Sequence, residues 1–194
     1  MDYSPVLESL RKFAPLTSEE ADYFSKFLKI KRFKKKQFLI QAKEPCRFDF
    51  FIVSGLVREY FTDLSGKEFV FRFVKENEWT SDYESFLSGN PASLTIEALE
   101  DLVVFSIYQE DANMLLETFP AFERSFRIYL QKSYSSLQHR LFESLSNTVE
   151  QRYEEFVFRF PDLAQRVPQY QIAAYLGVSP EFLSKIRQRR GGVV

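Results

Sequence analysis

Apolar positions along this chain change their spacing several times, and each change predicts a new kind of element. From Thr17 to Leu28, the residues Ala21, Phe24 and Leu28 recur at helical spacing. Thr17 and Glu20 form a capping-box pair that fixes the start of that helix. The following stretch, KIKRFKKK (29–36), holds six basic residues. Ile30 and Phe33 interrupt it at alternating positions, which favours a solvated strand and its turn over a nucleic-acid patch. From Gln37 to about Ser106 the pattern becomes one of short strands. Residues 37–41, 48–53, 56–62, 68–74, 94–98 and 102–106 are rich in aromatic and β-branched side chains. Lys43-Glu44-Pro45, Ser54-Gly55 and Asp63-Leu64-Ser65-Gly66 punctuate them, the last as a hairpin turn. So many strands at this spacing predict an antiparallel roll or barrel. The insert WTSDYESFLSGNPAS (79–93) does not alternate and has a short helical centre; long connections of this kind inside a β-domain are often functional.

After Tyr108 the pattern is helical. Residues 110–119 make a short helix. From Pro120 onward Phe122, Phe126, Tyr129, Ser133, Leu137, Leu141 and Leu145 recur at steps of three and four. One globular face does not need so long a stripe. It suits pairing with a second copy of itself, although packing on the chain's own β-roll is the alternative, and we expect one face to do each. Residues 146–149 mark a boundary. Residues 152–159 then form the first helix of a C-terminal domain, which Pro161 ends.

Within that domain the stretch VPQYQIAAYLGVSPEFLSKIRQRR (167–190) reads as two helices around a tight turn. Ile172, Ala173 and Leu176 share one face of the first helix. Gly177 stops it, Ser179 is an N-cap and Pro180 the first residue of the next helix. Phe182, Leu183 and Ile186 give the second helix an apolar face, leaving Ser184, Lys185, Arg187, Gln188, Arg189 and Arg190 outward. Ala173, four residues before Gly177, supplies the small side chain that crossing helices need. This is the pattern of a helix-turn-helix rather than of an ordinary αα-hairpin, with a second helix shaped for the DNA major groove. Charge supports it: from Phe182 onward there are four basic residues and no acidic one, in a chain of net charge −1. With the overall charge so close to zero, any DNA contact must be local.

Residue counts remove several chemistries. The single cysteine, Cys46, excludes an internal disulfide and a cysteine-ligated iron–sulfur cluster within one chain. Its expected place is a half-buried turn. The single histidine, His139, excludes a multi-histidine metal site and is expected partly exposed on a helix. No apolar run approaches the ~18 residues needed to span a bilayer, and the first residues, MDYSPVLESLRKF, lack the apolar segment of a signal peptide. A soluble cytoplasmic protein, not an enzyme, with no cofactor and no membrane partner, is the expectation.

The order of β-roll, long helix and small helix-turn-helix domain resembles the cAMP receptor protein/fumarate–nitrate regulator (CRP/FNR) superfamily of bacterial transcription factors. The similarity is carried by EPCRFDFFIVSGLVREYFTDLSGKE, SIYQEDANMLLETFPAFER and VPQYQIAAYLGVSPEFLSKIR, and together these look most like the subgroup common in Bacteroidetes-type bacteria. The resemblance implies an α+β fold. Residues 1–119 would be a cyclic nucleotide-binding-like β-roll (a double-stranded β-helix) with flanking helices, 120–146 a dimerisation helix, and 147–194 the DNA-binding domain. It implies a homodimer on a near-palindromic double-stranded DNA site, with RNA polymerase as a further partner the family allows. The dimer interface would fall on Phe122, Phe126, Tyr129, Ser133, Leu137 and Leu141.

In that family the insert of the roll is a phosphate-binding cassette. It has a Gly-Glu pair whose carboxylate holds the ribose, then an arginine on the cyclic phosphate followed by a small hydroxyl residue. Here Ser81 and Asp82 stand at the Gly-Glu positions, Ala92 at the arginine and Ser93 at the hydroxyl. No arginine occurs between Arg72 and Arg124. Losing the bidentate clamp removes about 1.5–3 kcal/mol, one to two orders of magnitude in affinity, so the expectation is no cAMP binding at physiological concentrations. Trp79, Tyr83 and Phe86 either line an apolar pocket for another small molecule or simply pack. The resemblance does not identify an effector. The iron–sulfur cysteines of some members are missing, and haem sensing is disfavoured because the one histidine sits on the long helix.

Carried over position by position, the base-reading face would be Pro180, Glu181, Ser184 and Lys185, with Glu181 accepting from a cytosine amino group and Lys185 donating to guanine. Arg187, Gln188 and Arg189 would lie along the phosphates, as would Gln169 and Gln171 from the preceding helix; Tyr170 reads equally as a phosphate contact or as packed, and the cap residue Ser179 is counted among the DNA-binding positions. Pro180 replaces a residue that often makes a polar contact, so the operator should differ from the familiar one. The sequence after the recognition helix is too short for a complete wing. Two rival readings are a ligand-binding or partner-docking module whose helix-turn-helix does not read DNA, and a cupin-like metalloenzyme, which a single histidine disfavours.

Overall fold

The structure is a computed structural model and describes residues 2–189; Arg190, assigned above to the recognition helix, lies outside them. Two helices open the chain, α1 (Ser4–Arg11) and α2 (Ser18–Ser25). The capping box is present, with Thr17 Oγ1 accepting the Glu20 N–H at 3.2 Å and the Glu20 carboxylate accepting the Thr17 N–H at 2.8 Å. Helix α2 stops at Ser25, yet Ala21, Phe24 and Leu28 are all buried as their spacing predicts. Helix α1 was not predicted. Its buried face includes Ser9, whose hydroxyl is hidden by donating to the Val6 carbonyl, so the apolar pattern is broken there.

Eight strands follow: β1 (Lys29–Phe33), β2 (Phe38–Ile40), β3 (Phe48–Ser54), β4 (Val57–Thr62), β5 (Glu68–Val74), β6 (Trp79–Thr80), β7 (Thr95–Ala98) and β8 (Leu102–Tyr108). They make two four-stranded sheets, in the orders β1-β8-β3-β6 and β2-β7-β4-β5. Helix α3 (Tyr83–Ser88) is the helical centre of the insert. Strand β6 was hidden in the same insert because two residues carry no period; it pairs antiparallel with β3. The basic stretch forms β1 as expected, its Lys31 ammonium sitting 3.5 Å from the Phe48 ring centre. At Gly55 φ is +97° and an added Cβ would lie 2.6 Å from the Asp101 carbonyl oxygen, so this turn requires glycine.

Strand β3 is buried on both faces, which is why it reads as a continuous apolar run. Phe50 and Ile52 join Val104 and Ile96 in the interior of the roll. Phe51, Phe105 and Ile107 belong to a second cluster with Val6, Phe24 and Leu28. One ion pair is buried with them in the same part of the chain, Arg58 to Glu97 at 2.6 Å.

Helices α4 (Gln109–Thr118), α5 (Pro120–Ser146), α6 (Val149–Arg159), α7 (Pro161–Arg166), α8 (Gln169–Leu176) and α9 (Pro180–Arg189) complete the fold. Helix α6 begins three residues earlier than predicted, at a second capping box formed by Thr148 and Gln151. Pro161 ends α6 but also opens α7, the first-turn position where its missing N–H costs nothing.

The chain divides into two compact units, the first comprising residues up to Arg58 with Val74–Ser135, the second Glu59–Phe73 with Ser136 onward. In the second unit Phe73 meets the rings of Phe156 and Tyr175 at 6.2 and 5.6 Å. The Arg140 guanidinium donates to the carbonyls of Phe71, Val70 and Tyr175, the last two at 3.1 and 2.9 Å, and lies 3.9 Å from the centre of the Tyr175 ring. Burial lowers the pKa of Arg140 and raises that of Tyr175. His139 is exposed, as expected, and its Nδ1 lies 3.0 Å from Glu143, which also pairs with Arg159.

The apolar stripe of α5 does not stay on one face. A step of four residues advances about 40° around a straight helix, and repeated fours carry the stripe from one side to another. Phe122 is 4% exposed and stacks on Phe24 at 5.0 Å. Phe126 and Tyr129 are half-buried beside Tyr83, and the Tyr129 hydroxyl donates to the Trp79 carbonyl at 3.0 Å. The expected partner-facing role of Phe122 is thereby corrected, since it is buried against its own roll, and Phe126 and Tyr129 also pack there with part of their surface left exposed. Ser133 is half-buried, whereas Tyr134, Leu137, Leu141 and Leu145 are exposed by 68, 45, 54 and 78%.

Candidate nucleic-acid interface and nucleotide cassette

Helix α8 ends at Gly177, whose φ of +76° lets the Val178 N–H reach back to the Ala173 carbonyl at 3.0 Å. Ser179 Oγ accepts the Phe182 N–H at 3.2 Å and so caps α9. Leu183 and Ile186 are 1 and 2% exposed and fix which side of α9 faces inward. Pro180, Glu181, Ser184, Lys185, Gln188 and Arg189 are exposed, and Arg187 is half-buried. At 3.6 residues per turn, Glu181, Ser184, Lys185 and Gln188 lie on the side opposite Leu183 and Ile186. The Glu181 carboxyl is held below its usual range by its own backbone N–H and by Ser179, so it is ionised at neutral pH. The pair Glu181 and Lys185 thus offers one acceptor and one donor on a single exposed face.

Two expectations here are corrected, those for Phe182 and Gln171. Phe182 is 44% exposed rather than part of the buried face, because it sits beyond the edge of the Leu183–Ile186 stripe. Gln171 is 2% exposed and cannot reach a phosphate. Of the two readings left open for Tyr170, its exposure of 58% disfavours the packed one. Gln169 is half-buried with its side-chain oxygen turned inward and without a hydrogen-bond partner.

The cassette residues come together around Asp82, which caps α3. Its Oδ1 accepts the Ser85 N–H at 3.1 Å. Its Oδ2 accepts the N–H groups of Ser93 and Leu94, both at 2.9 Å, and the Ser93 hydroxyl at 3.3 Å. Asp82 is 2% exposed, and Ala92 is 4% exposed within the core. Ser81 donates to the Phe48 carbonyl at 3.2 Å, and its hydroxyl meets the Cys46 sulfur at the same distance. Cys46 is therefore fully buried, not half-buried in a turn; burial pushes its thiol pKa up, and its N–H donates to Ser85 Oγ at 2.8 Å. The Asp82 carboxylate is occupied in tying the start of α3 to the end of the insert. Sequence reasoning missed that role, since an aspartate in place of a glutamate looks like mere loss.

A β-roll followed by a long helix and a helix-turn-helix defines the class of protein. Residues 30–119 match the model of the cyclic nucleotide-binding domain family. The fold of the chain is that of the CRP/FNR superfamily. The c-di-GMP-responsive global regulator CLP of Xanthomonas campestris superposes with a TM-score of 0.74 at 14% identity, over 90% of this chain and 91% of its own. FixK2 of Bradyrhizobium japonicum gives 0.74 at 16% identity, over 84 and 83%. A Eubacterium rectale protein assigned to the CRP/FNR family gives 0.73 at 15% identity, over 91 and 85%. No curated protein sequence matches the chain. Among the described residues no helix is long and apolar enough to cross a membrane, and no three potential ligands are grouped to hold a metal ion.

Proposed function

We propose that the protein is a cytoplasmic, homodimeric, sequence-specific DNA-binding transcription regulator of the CRP/FNR type. The observation that carries this reading is the exposed face of α9, with Glu181 and Lys185 set opposite the buried Leu183 and Ile186. Such a face is what a major-groove reader requires. Selection of bound fragments from random DNA at physiological salt tests it. A near-palindrome with half-sites about one helical turn apart is expected. Lys185→Ala and Glu181→Ala should each relax the preference at one base position at a cost of about 1–3 kcal/mol. No enriched sequence, or one unchanged in both variants, would remove this assignment.

Dimerisation is proposed to use Tyr134, Leu137, Leu141 and Leu145, whose exposure along one side of a long helix suits pairing with a second copy. Leu141→Lys combined with Leu145→Lys should shift the protein from dimer to monomer in analytical ultracentrifugation. A sedimentation pattern identical to that of the unaltered protein would move the interface elsewhere. The roll is proposed not to bind cAMP, supported by Ala92 in the arginine position and by the engagement of Asp82.

A further inference from the structure

The first unit holds a hollow of about 70 Å³ on the outer side of the β1-β8-β3-β6 sheet, the side that Ile107 faces. Phe50 and Ala92 lie on the other side, in the roll interior, so the hollow is separate from the cassette. The sequence left open whether Trp79, Tyr83 and Phe86 line a pocket or simply pack. All three line this one. The rest of the wall is almost entirely aliphatic and aromatic. The space exists because small residues stand where three helices face it: Ser9 on α1, Ala112 on α4 and Ser125 on α5. The large rings around it are held by one another and do not fill it. Phe122 stacks on Phe24 at 5.0 Å, and Tyr83 meets Phe126 and Tyr129 at 6.0 and 6.2 Å.

The polar side chains of the wall are engaged within the protein. Ser9 donates to the Val6 carbonyl at 2.8 Å, Ser125 to the Leu10 carbonyl at 3.2 Å and Tyr129 to the Trp79 carbonyl at 3.0 Å. Asp49 accepts the Tyr83 hydroxyl at 3.1 Å, and Asp49, Tyr83 and Tyr129 have further partners besides. A trapped water needs two to four polar partners, so a hollow with this lining stays dry. A charged ligand of either sign would shed its hydration there without gaining a partner. We infer that the hollow is a binding site for a small, uncharged, hydrocarbon-like molecule. At about 10–15 Å³ for each water-sized sphere, its volume admits about five non-hydrogen atoms. Such an occupant touches α3 through Tyr83 and Phe86 and α5 through Phe126 and Tyr129, and so bridges the insert and the first turns of the long helix. The site does not depend on the DNA-binding reading.

The chain supplies its own reporter, because Trp79 is the only tryptophan and lines the hollow. Cyclopentane, cyclopentylamine and cyclopentanecarboxylate share one ring and differ in charge. Each should be titrated into the full-length protein in sealed cells while Trp79 emission is followed. Cyclopentane is expected to give a saturable change with a midpoint of about 1 mM, the affinity that burial of roughly five methylenes supplies. The ammonium and the carboxylate should give only the linear change of collisional quenching. Bound cyclopentane should also slow amide exchange in α3 and in the first turns of α5 together. Ala112→Leu, which fills the hollow without removing a polar group, should abolish the cyclopentane response. If that variant does not fold, Ala112→Val should weaken the response about threefold or more. No saturable response to cyclopentane in the unaltered protein, an equal response to either charged analogue, or a response unchanged in a folded Ala112 variant would each overturn the inference.

Discussion

Replacing Arg140 by alanine should destabilise the second unit by about 3–5 kcal/mol, because three carbonyls lose a charged donor in a mostly buried place. The Tyr175 ring also loses the cation lying 3.9 Å from its centre. For a unit of this size the midpoint of thermal unfolding should fall by more than ~10 °C. Circular dichroism would follow the loss. Trp79 fluorescence would not, since that residue belongs to the first unit, and the two signals should separate in the variant. Arg140→Lys should recover less than half of the loss, because an ammonium lacks the planar fork that serves several carbonyls at once. A variant as stable as the unaltered protein would mean that water replaces the guanidinium without penalty.

Asp82→Ala should cost a similar amount, about 3–5 kcal/mol, by leaving three N–H groups and a hydroxyl without their charged acceptor. Here Trp79 fluorescence is the right signal. Asp82→Asn should recover little, because its amide nitrogen presents donors to donors. The same unfolding assay decides the cassette's fate in the unaltered protein. A ligand present at a hundred times its dissociation constant stabilises by about 2.7 kcal/mol. Millimolar cAMP should therefore leave the midpoint where it was. A clear rise, or micromolar binding in calorimetry, would show that the insert opens and that Asp82 changes partners.

These two residues also show what could be read in the chain beforehand and what could not. The helix-turn-helix was legible because its signals are local: Gly177, Ser179 and Pro180 announce their backbone conformations without reference to the rest of the fold. The strands of the roll were legible for a similar reason. Buried polar groups were not. Arg58, Glu59, Gln171 and Arg140 carry side chains that any pattern of apolar and polar positions assigns to solvent. Only long-range partners such as Glu97 for Arg58 and Arg72 for Glu59 explain them, and those pairings lie outside local sequence. Exposed apolar residues gave the opposite error, with Phe182 read as core. Helix α1 and strand β6 were too short, or too interrupted by Ser9, for any period to emerge. In the cassette the engagement of Asp82 was not legible, since hydrogen bonds from Ser93 and Leu94 to it close over a distance of eleven and twelve residues.

The second unit is assembled from two stretches that are far apart in the chain, the hairpin Glu59–Phe73 and everything from Ser136 onward. During synthesis the hairpin leaves the ribosome roughly sixty residues before the first of its later neighbours. At about 5–20 residues per second it waits several seconds with Phe73 and Val70 lacking the aromatic and guanidinium contacts they will finally make. A gene fragment beginning at Ser136 would encode the helix-turn-helix but not the hairpin, leaving Arg140 without the Val70 and Phe71 carbonyls and Tyr175 without the Phe73 ring. The helix-turn-helix of this protein is thus not a cassette that can be moved alone between genes; fifteen residues of the roll have to travel with it.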